Sequence, residues 1–129
     1  MTSLQIGKAI YTILSNNQTV SDLVGTKIFP IISDDENTTF PFIVYRRTGE
    51  MAVNNKDFRC SDAVIEILIA ADSYTQSIDV AEAVRESLEG YDGSVCDFYI
   101  NDIILQYAAE DFVDGVFTQT LQWRIEFNV

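Results

Sequence analysis

The sequence predicts a single α+β domain, a mostly antiparallel sheet with two helices packed on one face. Three observations carry that expectation. Residues 3–16 and 74–89 repeat apolar side chains at the spacing of one helical face, whereas other stretches alternate at strand spacing. No linker, repeat or low-complexity segment divides the 129 residues, so 1–129 is expected to form one domain. A chain of this length can bury roughly two thirds of its unfolded surface in one core.

The elements follow in order. Ile6, Ala9, Ile10, Ile13 and Leu14 mark the inner face of the first helix, with Thr2 and Gln5 spaced as a capping box and "SNN" as its stop. "TVSDLVG" adds one more helical turn, capped by Thr19 and ended by Gly25. A strand at 27–32 and another at 42–48 flank a polar acidic bridge, and the chain's two prolines, Pro30 and Pro41, sit beside these apolar runs. Residues 49–58, "GEMAVNNKDF", lack periodic apolar positions and are expected to form a loop. "SDAVIEILIAA" is a strand with Ala63, Ile65, Ile67 and Ile69 inward. The second long helix, 74–89, has Ser73 and Gln76 boxing its start and Gly90 closing it. Its expected inner stripe is Tyr74, Ile78, Ala81, Val84 or the Arg85 stem, and Leu88. The rest is β. "YDGS" turns the chain, "FYINDIILQYA" is a strand and "EDFVDG" is a second turn. The last strand buries Phe117, Leu121, Trp123, Ile125 and Phe127 on one face. Together these place Ile10, Ile13, Ile65, Ile67, Leu88, Leu121, Trp123 and Ile125 in one core.

Composition narrows the function. Apolar residues make up 47% and charged residues 22%, a globular mixture, but the net charge is −12. Such a chain repels phosphate backbones, so specific nucleic-acid binding is not expected. Cys60 and Cys96 lie far apart without a CxxC spacing and read as buried, reduced thiols of a cytosolic protein. The start has no basic segment followed by a long apolar run, so no signal peptide is expected, and no run approaches the ~20 apolar residues of a membrane span.

Catalytic chemistry finds little foothold. With no histidine, serine and cysteine triads lose their usual base and common zinc sites lose a ligand. No phosphate-binding glycine loop occurs. Asp34, Asp35 and Glu36 cluster three carboxylates without the alternation of a calcium loop, and "EDFVDG" fails the same test. An enzyme is not expected, nor is a cofactor or metal.

The stretch "VSDLVGTKIFPIISDDENTTFPFIVYRRTG" after a helix resembles the start of the tail-completion proteins of long-tailed bacteriophages and prophages, also called tail terminators or tail-to-head joining proteins. The residues that carry the likeness are Leu23, Val24, Gly25, Lys27, Ile28, Phe29 and Pro30, then Pro41, Phe42, Ile43, Val44 and Tyr45. "AADSYTQSIDVAEAVRESLEG" is similar to that family's later strand-to-helix passage, and "FTQTLQWRIEF" to its last strand. The match covers nearly the whole chain as an order of elements; the short "EMAVNNKDF" loop and the strong acidity depart from it. The resemblance implies a structural virion protein that caps the tail tube as a ring of six copies and meets the head connector protein. Its partners would be itself, the tail tube protein and the head connector protein, with DNA passing through the ring. It would assemble in the bacterial host cytoplasm and end at the tail–head junction. Alternatives are another neck component, or a small cytosolic ligand-binding or regulatory domain.

Two groups of residues are candidate sites in such a ring. Arg46, Arg47, Lys56 and Arg59 fall within fourteen positions, while residues 86–115 contain eight acids and no lysine or arginine. Opposite-sign patches suit head-to-tail contacts, so Arg46, Arg47, Lys56 and Arg59 are expected to meet Asp97, Asp102, Glu110 and Asp111 of a neighbour, unless the arginines pair with acids of their own subunit. The acidic bridge at Asp34, Asp35, Glu36 and Asn37 is expected to face the tube or line the channel, or else to be a plain solvated loop.

Overall fold

The computed structural model describes residues 2–32, 38–54 and 59–128, except for the side chains of 52–54, 59 and 60. A 3-10 turn at Ser3–Gln5 leads into α1 (Ile6–Asn16), followed by α2 (Gln18–Val24), β1 (Ile28–Pro30), β2 (Phe42–Asn54) and β3 (Arg59–Ala71). Then come α3 (Tyr74–Leu88), β4 (Gly93–Val95), β5 (Phe98–Val113) and β6 (Val116–Asn128). One six-stranded sheet runs in the order β1-β2-β3-β6-β5-β4. Among the described residues only the β1–β2 pair is parallel. This is the α+β class expected, with α1 and α3 on one face of the sheet.

The core lies between that face and the helices. Ile65 sits opposite Trp123 and Ile67 opposite Leu121 across β3 and β6, and Ile103 faces Ile125 across β5 and β6. Ile6, Ile10 and Leu14 of α1 and Val80, Val84 and Leu88 of α3 close over them, all fully buried. All eight residues expected in the core are buried within one cluster.

Local chemistry sets the element ends, not always as expected. Thr2 makes no side-chain cap, and the first turn is 3-10 rather than α. The cap of α2 is Asn17, whose side chain accepts from the Val20 amide at 3.0 Å, rather than Thr19. Gly25 ends α2 at φ 63°, a conformation that penalises any Cβ. Ser73 caps α3 by accepting from the Gln76 amide at 3.2 Å, while the Gln76 side chain accepts from Asp72 and so does not complete a box with Ser73. The buried stripe of α3 is rotated from the one expected. It runs through Ser77, Val80, Val84 and Leu88 with Ala83, while Tyr74 is exposed and Ile78 and Ala81 are half-buried.

Two expected loops are strand. β2 continues to Asn54, and β5 continues to Val113 so that only Asp114 and Gly115 turn. Both residues have positive φ, the type I′ geometry whose twist matches a hairpin. Bulges explain why the alternation was hidden. The register of β2 against β3 slips between Arg47 and Gly49, and that of β5 against β6 slips near Asn101 and again near Gln106. Each slip moves the inward parity by one residue, so in β5 Ile100, then Ile103 and Leu105, then Ala108 and Glu110 share the helix side.

Candidate functional site

Two members of the expected basic cluster, Arg46 and Arg47, do not share one face of the sheet. Arg46 and Arg47 are adjacent in β2 and so point to opposite faces of the sheet. Arg46 lies on the face without helices and pairs with Glu66 of β3 at 3.2 Å, its side chain still 54% exposed. Arg47 turns to the helix side, donating to the Leu4 carbonyl at 2.9 Å and standing 3.6 Å from Glu50, which also accepts from Ser3. Both arginines thus have partners within their own chain. Arg59 opens β3 opposite Asn54. Lys56 lies outside the described residues, as do Asp34, Asp35, Glu36 and Asn37.

The acidic group is also spread along its strand. Asp97 is exposed in the turn from β4 to β5, and Asp102 is opposite Glu126 on the face without helices. Glu110 and Asp111 lie eight and nine residues farther along β5, roughly 25–30 Å from Asp102 at strand rise. Glu110 accepts from the Tyr74 hydroxyl at 2.9 Å and from the buried Gln119 amide at 3.2 Å. That hydrogen bond to a carboxylate holds the Tyr74 phenol above its usual range. The Asp111 carboxylate accepts from the Phe112 amide at 2.8 Å.

What the strand order does bring about is a separation of sign. The basic residues Lys8, Lys27, Arg46 and Arg47 gather on α1, beside β1 and on β2. Asp97, Asp102, Glu110, Asp111 and Asp114 follow β5, on the far side of β3 and β6. Each side also carries exposed apolar residues that the sequence reading did not single out. Beside β2 an open groove of about 500 Å³ is lined by Leu4, Lys8, Pro30, Ile31, Tyr45 and Arg47, among others, with Leu4 66% and Ile31 73% exposed. On β5, Tyr107, Phe112 and Val113 are each more than half exposed. Phe112 and Phe117 rings are 4.6 Å apart, and Tyr74 meets Phe117 edge-on at 6.2 Å. Had residues 110–113 been recognised as strand beyond a bulge, their outward apolar side chains would have been the signal.

A second groove, about 400 Å³, lies between α1 and the β4 end, where Thr12 Oγ1 is 3.5 Å from Cys96 Sγ. Cys96 is exposed, not buried as expected, because it occupies the left-handed corner of the β4–β5 turn at φ 55°. Among the described residues no three His, Cys, Asp or Glu side chains converge as a metal cluster. Among the same residues no helix is long and apolar enough to cross a membrane.

No protein-family model matches the chain, and no curated protein matches it. A solved structure does. A chain of the virion of a native gene transfer agent particle superimposes with a TM-score of 0.78. The alignment covers 99% of this chain and 100% of that one at 16% identity. At that identity the fold is what the two chains share.

Proposed function

We propose that this chain is a structural virion subunit of a phage-type particle, and that copies of it form a ring closing the tail tube and joining it to the head. The observation that carries the reading is the match to a chain of a gene transfer agent virion, which covers 99% of this chain and 100% of that one. The tail-completion resemblance at Leu23–Pro30 and Pro41–Tyr45 is independent of that match and points to the same class of particle. Those residues build the α2 end, β1 and the start of β2, whose parallel pairing is set at Ile28–Ile43 and Pro30–Tyr45.

Such a subunit works through shape and contacts. Six copies would carry a large negative charge around a DNA channel, and acidic walls keep phosphates from sticking. Asp34, Asp35, Glu36 and Asn37, which lie in sequence between β1 and β2, would face the tube or the channel. Assembly would take place in the bacterial cytoplasm, with the mature position at the tail–head junction.

Deleting the gene from a producing strain and imaging the particles tests the reading. Tails of uncontrolled length, or tails without heads, are expected. Capped tails of normal length that fail only to attach heads would favour another neck component, and normal particles would sink both. Replacing Asp34, Asp35 and Glu36 together with asparagine is expected to leave folding intact and lower the infectious or transducing yield. An unchanged yield would remove these three acids from the tube and the channel.

A further inference from the structure

We propose that the free edge of β5 and the free edge of β2 are two halves of one contact between copies of this chain, so that the sheet of one subunit continues into the next. This rests on the ring reading and names the backbone that would make the ring.

β4 covers β5 only at Phe98–Ile100, and just beyond it the Gly90 amide donates to the Ile103 carbonyl at 2.9 Å. From Ile104 to Val113, no other backbone among the described residues pairs with that side of β5. The two-residue turn makes Val113 and Val116 the closing hydrogen-bonded pair. Alternation back along the register then directs Asp111, Ala109 and Tyr107 toward β6. The amides and carbonyls of Ala108, Glu110 and Phe112 therefore point outward with no backbone partner among the described residues, and the Phe112 amide is held only by its neighbouring Asp111 carboxylate at 2.8 Å. A long open edge is a template for another strand, and proteins usually blunt one with proline, lysine or a covering segment. This edge has a bulge at Gln106 but neither proline nor lysine, and it exposes Tyr107, Phe112 and Val113.

Beyond Tyr45, no other backbone among the described residues pairs with the outer side of β2. β1 pairs with it only over Ile43–Tyr45, and the Ile31 amide donates to the Tyr45 carbonyl at 2.7 Å. Where β1 stops, the groove of Leu4, Lys8, Ile31 and Arg47 begins. Charge selects how the edges combine. Pairing β5 with another β5 would set Glu110 and Asp111 against the same acids, which a subunit of net charge −12 resists. Pairing β5 with β2 sets those acids beside Lys8, Arg46 and Arg47, and places Phe112, which shares the helix side with Glu110, against Leu4 and Ile31. The contact is heterologous, so repetition closes a ring rather than a two-fold dimer.

Ala108→Pro removes one outward amide and no bond to β6; Asp111→Lys reverses the charge beside it. Assembly of the full chain, alone and on purified tail tubes, is followed by sedimentation, with folding checked by circular dichroism. Both variants are expected to fold and to assemble at least tenfold more weakly. In wild-type assemblies the amides of Ala108 and Glu110 are expected to exchange hydrogen at least tenfold more slowly than in dilute subunits. If both variants assemble as tightly as wild type and those amides gain no protection, the edge contact is wrong and the ring stands. If the wild type never assembles, even on tubes, both fall. Should Ala108→Pro not fold, Asp111→Lys and the wild-type exchange decide alone.

Discussion

Trp123 sits at the centre of the buried sheet face, opposite Ile65 on β3 and Leu105 on β5, with no exposed surface. Trp123→Ala should cost about 3–5 kcal/mol, because strands on both sides hold their register and cannot close over the cavity. Chemical denaturation measures this, and a variant as stable as its parent would overturn the assignment of the inner face. Gly115 shows the opposite kind of constraint. A Cβ there would meet nothing within 4 Å, yet φ is 81°. Gly115→Ala should therefore cost about 1–2 kcal/mol through backbone strain alone, read from the melting curve.

Helix ends are the clearest tests of the elements. Asn17 and Ser73 each accept an amide hydrogen bond at the start of a helix, so Asn17→Ala and Ser73→Ala should each lose about 1 kcal/mol, while Thr19→Ala should lose less. Equal losses at Asn17 and Thr19 would contradict the capping seen. At the other end of α3, Arg85 donates to Glu89 at 2.6 Å and holds that carboxyl below its usual range. A carboxyl lowered on folding adds stability above its unfolded value, and that stability is lost as pH falls through its folded value. Both groups are on the surface, so Arg85→Ala should return Glu89 to the ordinary range in an NMR titration while barely moving the melting temperature. The bulges belong to this scale too. They bend β2 and β5 and shift the inward parity, which carries Arg47 and Glu50 to the helix side together.

For the whole molecule, charge and topology act against each other. A net charge of −12 repels a second copy at long range, whereas the basic β2 side and the acidic β5 side attract at contact. Salt screens the distant repulsion first, since the Debye length is about 10 Å at 0.1 M and about 3 Å at 1 M. Association is therefore expected to rise from low to moderate salt and to fall again toward ~1 M. A rise that continues to the highest salt would mean that apolar burial alone drives assembly and would remove the charge-matching part of the interface.

Periodicity determined the class, the order of most elements and the core, because a helix or strand must show one apolar face wherever a single layer covers it. Ile10, Ile65 and Trp123 were legible for that reason. The strand segments 49–54 and 110–113 were not, because a bulge breaks the alternation that marks a strand. The candidate site was half legible. Sequence grouped Arg46 and Arg47 in one basic cluster, but neighbours in a strand face opposite ways, so those two could not share one face. Strand order alone decided that the two signs lie on opposite sides of the sheet. Pairing between distant segments decided which edges stay open, since an edge is defined by the partner it lacks.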